Sequence, residues 1–312
     1  MKRLLLLVTL IFTMATLSAQ TKHTTHCFVE GKDPLYLDHY RAEGEGLHPC
    51  VLFAFGGGFS HGNRADERYM PYFDMLLAQG FDVVSIDYRL GMAYALDPNK
   101  EVGPIEGAWT MYRSVNMAAE DVLRALNYIL INAVKMGIDI SCIVASGSSA
   151  GAIAVLQAEN HLTNHSHYAK NLSADYNFAG VIAFAGAIYG VLGEPKWGDT
   201  PCPIMMFHGN SDSNVPYRKA SMFGVGFYGS ELITDQLQKL GASYYFYSAK
   251  YRTHEMAEVP MYKNRNEIRS FIEHYVLGKS PMQTVVYVDN TAVEKRPTRF
   301  KVKEYLSSNY SE

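Results

Sequence analysis

One short motif constrains the fold of this chain more than any other feature: the pentapeptide Gly147-Ser148-Ser149-Ala150-Gly151, which fits the pattern G-x-S-x-G. The apolar run 140–145 precedes it and the small, apolar residues 152–156 follow it, which predicts a strand, a sharp turn and a buried helix. Glycines two positions on either side of Ser149 leave room where that strand and helix converge. The start of the helix would direct backbone N–H groups at negative charge beside the serine hydroxyl. Ser149 is therefore the predicted nucleophile.

An acid and a base follow Ser149, each on a loop after a predicted strand. The apolar strand 203–207 runs into a polar loop that carries Asp212. The aromatic strand 243–249 runs into a polar loop that carries His254. Because loops at the carboxyl ends of parallel strands meet at one edge of a sheet, residues that are distant in sequence can come together there. The sequence therefore predicts a catalytic triad of Ser149, Asp212 and His254.

A glycine-rich loop upstream supplies a further part of such a site. The apolar strand 51–55 runs directly into Gly56-Gly57-Gly58-Phe59. Consecutive glycines let a backbone approach a substrate closely and turn its N–H groups toward it. A tetrahedral oxyanion needs fixed donors of this kind, and one donor can lower the barrier by about 3–4 kcal/mol. We therefore interpret this loop as part of an oxyanion hole; a flexible surface loop is the alternative.

In these motifs the chain resembles bacterial carboxylesterases of the α/β-hydrolase superfamily. The matching stretches are collinear and span nearly the whole mature chain: residues 35–38, 55–59, 85–90 and 118–122, the pentapeptide, the Asp212 loop and the His254 loop. The resemblance is to secreted esterases of the hormone-sensitive-lipase-like and carbohydrate-ester groups, which include acetylxylan and feruloyl esterases. It implies an α/β-hydrolase fold, with the N–H groups of Gly57, Gly58 and Ala150 as oxyanion donors. Phe55 departs from the pattern, because many relatives have a histidine there that braces the oxyanion loop.

The N-terminus has the pattern of a secretory signal peptide, residues 1–19. A basic pair is followed by an apolar core, residues 4–12, and by the cleavage site Leu17-Ser18-Ala19. The apolar run is short for a membrane span, so a retained membrane anchor is the less favoured alternative. Cys27 lies too far along the chain to carry a lipoprotein anchor. We expect a mature protein, residues 20–312, in the periplasm or outside the cell.

Length and charge favour a single α/β catalytic domain over residues 20–312. Roughly 290 residues suit one large domain with a substantial core. The formal net charge of −3 favours neither nucleic acid nor anionic membranes as partners. No C-x-x-C pattern indicates zinc and no phosphate-binding loop is present, so we expect no metal and no cofactor. The expected partner is a small-molecule or carbohydrate ester, and the oligomeric state stays open.

Cysteine usage leaves the disulfide pattern open. Four cysteines remain after processing: Cys27, Cys50, Cys142 and Cys202. An even number in an oxidising compartment permits disulfides, with three alternative pairings. The irregular spacing, and the apolar strand around Cys142, favour mostly buried free thiols with room for one disulfide.

Hydrophobic periodicity predicts strands that alternate with helices, and hence a mostly parallel sheet of about eight strands with helices on both faces. Further predicted strands are 25–30 and 35–40, which form a hairpin, 81–86, 178–184 and 284–288. Predicted helices are 69–79, 115–135, 230–241 with Ser230 as N-cap, and 266–277. The tail, residues 280–312, would either add an edge strand or stay mobile.

Two stretches fit none of these core elements, and each lies near a catalytic loop. Residues 90–114 contain several aromatic and apolar side chains, and residues 223–229 combine glycines with aromatics. We interpret them as a small cap that lines an acyl or aryl pocket; ordinary loop packing is the alternative.

These residues together predict a serine carboxylesterase. Ser149 Oγ would attack an ester carbonyl with His254 as general base, and water would then hydrolyse the acyl-Ser149 intermediate. Asp212 would orient His254 and stabilise its charged form without taking the proton. Acetyl, feruloyl and short acyl esters, including those on polysaccharide, are compatible with an aromatic-rich rim. Activity is expected to fall below about pH 6, because His254 must be neutral to act as a base.

Two other functions use the same motifs. A serine peptidase of the prolyl-peptidase type shares the triad, but this chain has no room for the propeller or large cap that gates peptides in such enzymes. A noncatalytic binding protein on a hydrolase fold is a further alternative, although such proteins typically lose a triad member. Other polar side chains near the motifs are interpreted as structural or solvent-exposed rather than catalytic: Ser146, Ser148, His61, His208, Asp175 and Asp199.

Overall fold

The computed structural model describes residues 22–93 and 103–300. Its strands, in chain order, are β1 (His23–Val29), β2 (Leu35–Tyr40), β3 (His48–Ala54), β4 (Asp82–Ile86), β5 (Ile138–Ser148), β6 (Gly180–Phe184), β7 (Ala187–Gly190), β8 (Ile204–Gly209), β9 (Lys219–Met222), β10 (Val225–Gly229), β11 (Tyr244–Ala249) and β12 (Gln283–Val288). Its α-helices are α1 (Met70–Leu77), α2 (Pro104–Met136), α3 (Ala150–Thr163), α4 (Ser230–Leu240), α5 (Pro260–Lys263) and α6 (Arg265–Phe271). Short 3-10 helices lie at Glu67–Tyr69, His167–Ala169 and His254–Ala257, and a π-helical segment, Ile272–Leu277, continues α6.

The main sheet has nine strands in the order β1-β2-β4-β3-β5-β6-β8-β11-β12. Strands β1 and β2 form the predicted antiparallel hairpin, and β2 is also antiparallel to β4. The other neighbouring strands pair in parallel. The predicted α/β-hydrolase architecture, a mostly parallel sheet with helices on both faces, is confirmed. The tail contributes β12 at the edge of the sheet, so residues 284–288 form the edge strand that was one of the two alternatives.

The central strands are buried because helices cover both faces of the sheet. Side chains of β3, β4, β6 and β8 form near-continuous apolar runs with almost no exposed surface. Parallel strands that are covered on both faces show this pattern. In strands with one solvent-exposed face, buried and exposed side chains alternate. The edge strand β12 alternates in this way, with exposed Val285 and Tyr287. The carboxyl ends of the central strands are therefore held in a rigid, dry layer.

Helix α2 is longer than predicted, because it begins at Pro104 rather than at residue 115. A proline suits the first turn of a helix, where its missing N–H has no helical partner. The predicted C-terminus is confirmed, since Gly137 adopts a left-handed conformation with φ 72°. Residues 104–114 are thus helical, and residues 94–102 of the same stretch lie outside the described residues.

The stretch 223–229, expected to be a loop, instead supplies a strand of a second sheet. Strand β10 lies between β7 and β9 in this antiparallel three-stranded sheet, called here the small sheet. Gly226 has φ 148°, and a side chain there would collide with the backbone of Ser221 in β9. The loop prediction is wrong because Gly226 marks a close strand contact rather than a turn.

The capping role predicted for Ser230 is also wrong. Gly229 occupies the N-cap of α4, and no side chain caps this helix. The Ser230 hydroxyl donates to the Gly186 carbonyl at 3.2 Å and lies 2.8 Å from His208 Nδ1. Ser230 therefore connects α4 to the ends of the central strands instead of closing its own helix.

All four cysteines are free thiols, as the sequence favoured. Cys50, Cys142 and Cys202 are buried, whereas Cys27 is only partly buried. Burial raises the pKa of Cys142 to about 11 and the pKa values of Cys50 and Cys202 well above their usual range. These three thiols are therefore protonated and unreactive at neutral pH.

The predicted signal peptide, residues 1–19, lies outside the described residues. Among residues 22–93 and 103–300, no helix is long and apolar enough to cross a membrane. The location of the protein stays a prediction.

Candidate active site

Ser149 lies on a strained turn between β5 and α3, as the pentapeptide predicts. Its backbone has φ 50° and ψ −114°, a conformation that non-glycine residues adopt rarely. The turn is held because the Ser149 N–H donates to the Phe184 carbonyl at 2.8 Å. A side chain at Gly147 would come within 2.7 Å of the Ala152 nitrogen, and one at Gly151 would collide with the end of β3. The two glycines are needed because strand and helix converge on both sides of the serine.

The structure brings the three predicted triad residues together in a hydrogen-bonded chain. Ser149 Oγ lies 2.8 Å from His254 Nε2, and His254 Nδ1 lies 2.8 Å from Asp212 Oδ2. An ionised carboxylate can only accept hydrogen bonds, so Nδ1 carries the ring proton and Nε2 accepts from the serine hydroxyl. This is the tautomer that a general base requires.

The loops that carry Asp212 and His254 are fastened to each other because their strands, β8 and β11, are neighbours. The Ser211 N–H donates to the Arg252 carbonyl at 3.0 Å, and the Tyr251 N–H donates to Asn210 Oδ1 at 2.7 Å. A side chain at Gly209 would collide with the backbone of Arg252, which explains a glycine at the end of β8. The acid and base loops therefore behave as one unit.

Asp212 is buried, and its carboxylate accepts several hydrogen bonds. Its Oδ1 accepts the N–H groups of Asn214, at 2.8 Å, and Val215, at 3.0 Å. Burial alone would raise the pKa of Asp212, but His254 and His208 outweigh it and hold the pKa well below its usual range. Asp212 is therefore ionised at every pH at which the protein would work.

The interaction with Asp212 shifts the pKa of His254 in the opposite direction, upward. Burial lowers the pKa of His254, but Asp212, Glu258 and Glu255 outweigh burial and raise the pKa above its ordinary value of 6.5. Because the neutral ring is the base, a raised pKa moves the expected acidic loss of activity to a higher pH than the value of about 6 expected from the sequence.

The glycine loop faces Ser149 across the same cavity, with Gly57 at φ 139° and Gly58 at φ 59°. The Gly57 carbonyl accepts the N–H groups of Ser60, at 3.0 Å, and His61, at 3.1 Å, which closes the loop into a tight turn. Ala150, the third predicted oxyanion donor, starts α3 and lines the cavity beside the glycines. The three predicted donors thus line the same cavity as Ser149, and their catalytic role stays a prediction.

Tyrosines support this loop at Phe55, the position where the resemblance implied a histidine. The Phe55 ring stacks on Tyr88 with 4.4 Å between ring centroids, and the Tyr88 hydroxyl donates to the Phe55 carbonyl at 2.8 Å. The Gly56 N–H donates to the Tyr69 hydroxyl at 2.9 Å. The loop therefore has side-chain hydrogen bonds on both sides of the Phe55–Gly56 peptide.

The cavity above Ser149 measures about 460 Å³, and its lining includes both apolar and polar side chains. Five of its apolar residues, called here the apolar wall, are Phe59, Met111, Ile153, Val215 and Phe227. Its polar lining residues include Ser60, His61, Arg68, Tyr69, Ser148, Asn214, Glu255, Glu258 and Tyr262. Met111 comes from the early turns of α2 and Phe227 from β10, so both stretches predicted to line a pocket contribute to it.

The sequence analysis interpreted His208 as structural, but the structure places it beside the predicted acid. It is fully buried at the end of β8, as a core-edge residue would be, but its Nε2 lies 3.4 Å from Asp212 Oδ2. Nε2 also lies 3.2 Å from the Val215 carbonyl. Two histidines therefore face the same carboxylate oxygen. The available signal was the position of His208 at the strand end, four residues before the predicted acid.

The remaining polar residues agree with their structural interpretations: His61 is exposed, and it also lines the cavity. Asp199 is exposed and pairs with His165 at 2.7 Å. Asp175 is exposed as well. The hydroxyls of Ser146 and Ser148 bond to Tyr72 and to the Ala257 carbonyl, respectively. Within residues 22–93 and 103–300, no cluster of His, Cys, Asp and Glu could hold a metal ion.

Sequence comparison finds short matches to esterases, and no family model matches the chain. The chain is 31% identical over 107 residues to Esterase B1 of Culex pipiens, a match covering 34% of this chain and 18% of that protein. It is 31% identical over 129 residues to Fumonisin B1 esterase of Sphingopyxis macrogoltabida, covering 40% of this chain and 22% of that protein. The chain therefore matches less than a quarter of the length of either relative.

Structural comparison extends over most of the chain. Propionate-bound esterase 2 of Thermogutta terrifontis matches with a TM-score of 0.58 and 18% identity, over 81% of this chain and 94% of that chain. The butyrate-bound form matches with a TM-score of 0.58 and 17% identity, over the same shares. Together with the sheet order and the serine turn, these matches show that the chain has the α/β-hydrolase fold, and its structural neighbours are esterases.

Proposed function

We propose that this protein is a serine carboxylesterase that works through an acyl-serine intermediate. The observation that carries the proposal is the chain of 2.8 Å contacts from Ser149 through His254 to Asp212. Ser149 and His254 line a cavity that the glycine loop also lines. A nucleophile, a base in the right tautomer and a fixed acid at one cavity are what acyl transfer requires.

In the first half of the proposed reaction, His254 Nε2 takes the proton of Ser149 Oγ while the oxygen attacks the ester carbonyl carbon. The carbonyl π electrons move onto oxygen, and the N–H groups of Gly57, Gly58 and Ala150 stabilise the resulting oxyanion. The oxyanion then re-forms the carbonyl and expels the alcohol, which takes the proton from His254. Acyl-Ser149 remains.

In the second half, His254 takes a proton from water, and the hydroxide formed attacks the acyl-Ser149 carbonyl. Collapse of this second tetrahedral intermediate releases the carboxylic acid and returns the proton to Ser149 Oγ. Asp212 keeps its negative charge throughout and stabilises the His254 imidazolium that forms twice. The two half-reactions need no cofactor.

For the substrate, we propose a short acyl ester of a polar alcohol, with acetyl and feruloyl groups on polysaccharide as the candidates to test. The leaving oxygen must lie near His254 Nε2, and the cavity residues that follow His254 include Glu255, Glu258 and Tyr262, which suit a hydroxylated alcohol. The apolar wall suits the acyl group. The structural neighbour from Thermogutta terrifontis binds propionate and butyrate, which are short acyl products.

Secretion is proposed on the pattern of residues 1–19 alone. Expression of the full chain, followed by N-terminal sequencing of the mature protein, tests it. A mature N-terminus near residue 20 in the periplasmic or extracellular fraction supports secretion, and an intact Met1 in the cytosol contradicts it.

An ester panel tests the function. Nitrophenyl esters of rising acyl length, acetylated xylan and methyl ferulate are offered to the wild type and to Ser149→Ala. We expect turnover by the wild type and a loss of at least about 10⁴-fold in kcat for Ser149→Ala. Turnover left intact in the variant would overturn the mechanism.

Two further readouts separate the alternatives. Cleavage of an aminoacyl-anilide without cleavage of any aryl ester would indicate a peptidase instead. No turnover and no labelling of Ser149 by a fluorophosphonate probe would indicate a noncatalytic binding protein.

A further inference from the structure

A row of buried polar groups connects the three loops of the candidate site. The Gly56 N–H donates to the Tyr69 hydroxyl at 2.9 Å. The Ser148 hydroxyl donates to the Ala257 carbonyl at 2.9 Å. Gly56 belongs to the glycine loop, Ser148 to the nucleophile turn, and Ala257 to the helical turn that starts at His254. The two hydrogen bonds therefore involve the glycine loop, the nucleophile turn and the helical turn of His254.

The two contacts meet at the hydroxyls of Tyr69 and Ser148. Tyr69 and Ser148 both line the cavity, and Tyr69 is only 1% exposed, so its hydroxyl proton needs an acceptor close by. Ser148 Oγ directs its own proton to Ala257, which leaves its lone pairs free to accept. Burial raises the pKa of Tyr69, and interactions with Gly56 and then Ser148 act in the opposite direction, which places both groups close to the Tyr69 hydroxyl. The backbone at Gly56 is also so close that a Cβ there would lie 3.1 Å from Ser148 Oγ.

We propose that Tyr69 and Ser148 are positioning residues whose hydroxyls form one hydrogen-bond relay, from the Gly56 N–H through Tyr69 Oη and Ser148 Oγ to the Ala257 carbonyl. The relay holds the oxyanion loop and the His254 loop against the nucleophile turn. Its effect on catalysis rests on the proposed function; its effect on loop mobility does not. Because the Phe55 side chain has no polar atom, Tyr69 reaches from the start of α1 to support the loop instead.

The relay acts on the transition state more than on substrate binding. Fixing the Gly56 N–H fixes the peptide that leads into Gly57, and hence the direction of the donors that meet the oxyanion. An oxyanion exists only after attack, so looser donors lower kcat and leave KM nearly unchanged. Loss of one buried hydrogen bond, about 1.4 kcal/mol, corresponds to a roughly tenfold change in rate.

The protein contains a matched control pair. Tyr72, in the same helical segment as Tyr69, places its hydroxyl 3.1 Å from the hydroxyl of Ser146, in the same strand as Ser148. Both members are buried, and neither lines the cavity. Tyr72→Phe therefore removes the same kind of buried contact without touching a loop of the site.

Kinetics on Tyr69→Phe, Ser148→Ala, the double variant and Tyr72→Phe test the catalytic effect. We expect kcat for the best ester, and the rate of fluorophosphonate labelling, to fall roughly tenfold in each relay variant with KM changed less than about twofold. The double variant should be no slower than about the worse single variant, because either change breaks the same relay. Tyr72→Phe should lower the melting temperature to a similar extent and leave both rates unchanged.

Amide hydrogen exchange tests, without any substrate, whether the two ends of the relay are connected. In Ser148→Ala, exchange should rise in the peptide that contains Gly56, and in Tyr69→Phe it should rise in the peptide 254–258, because each end depends on the other. Exchange that changes only next to the substituted residue, or singles whose rate losses multiply in the double variant, would overturn the relay. If Tyr69→Phe does not fold, Ser148→Ala alone decides. A wild type that neither hydrolyses esters nor reacts with the probe contradicts the proposed function, and the exchange result still settles the relay.

Discussion

The triad and the apolar wall of the cavity are built in different ways. Asp212 is held by backbone N–H groups and two histidines, and its loop is bonded to the His254 loop. In the wall, Phe227 is held by ring packing, with 4.8 Å to the centroid of Tyr189. Elsewhere on the small sheet the β9–β10 turn exposes 96% of Phe223. Directional bonds fix the reacting groups, whereas non-directional packing shapes the space that receives the substrate.

This difference implies that changes in the triad should abolish turnover of every ester, whereas changes in the wall should reorder preferences among esters.

Asp212→Asn should lower kcat about 10⁴-fold for every ester, with little change in KM. The amide would accept poorly from His254 Nδ1 and would favour the tautomer that cannot take the serine proton. Steady-state kinetics with two esters of different acyl length measure the effect. Asp199→Asn, at an exposed acid, is the matched control. An Asp212→Asn loss confined to one of the two esters would contradict the contrast between triad and wall.

The pH dependence should report the raised pKa of His254. Because the neutral ring is the base, kcat/KM should fall tenfold per pH unit on the acidic side, with a midpoint above 6.5. In Asp212→Asn the midpoint should move down, since the carboxylate that favours the charged ring is gone. An uncharged ester measured between about pH 5 and 9 gives both profiles. A wild-type midpoint at or below 6.5 would contradict the assigned charge pair.

His208→Leu should lower kcat roughly tenfold and the free energy of unfolding by about 1–3 kcal/mol. The substitution removes the ring nitrogen beside Asp212 Oδ2 and leaves the Ser230 hydroxyl and the Val215 carbonyl without that partner. Kinetics and chemical denaturation measure the two effects separately. His165→Leu, at an exposed histidine paired with Asp199, should change neither quantity. An unchanged kcat in His208→Leu would show that the contact with Asp212 is structural only.

Phe227→Ala should change kcat/KM for acetyl esters by only about threefold while improving turnover of longer acyl chains relative to acetyl. The reason is that the substitution enlarges the apolar wall without touching the hydrogen-bonded groups. The acyl-length series measures the shift, and Phe223→Ala in the same hairpin, outside the cavity, is the control. A uniform loss across the series would show that Phe227 supports the triad rather than the acyl group.

Much of the site could be predicted because its parts have local signatures. The glycines around Ser149 are required by sterics within a few residues, and the acid and base follow strands that are visible as apolar runs. The start of α2 and the strand β10 were missed for a related reason. A proline and several glycines resemble loop signals, and only the pairing of β10 with β7 and β9 shows what Gly226 does.

His208, Tyr69 and Ser148 had no comparable signal. Each carries a common polar group whose role depends on which distant loop lies against it. His208 meets Asp212 because both lie at the end of β8, and Tyr69 meets Gly56 because the Tyr69 ring packs against Phe53 of β3. Contacts of this kind depend on how elements approach one another, which periodicity and spacing do not describe.

Local sterics and strand periodicity therefore encode the order of the main-sheet strands, the strained serine turn, and the loops that carry Asp212 and His254. The tertiary structure decided which side chains support those residues and what shape the cavity has. It also decided the sign of the pKa shift at His254, because burial and the nearby charges act through space rather than along the chain.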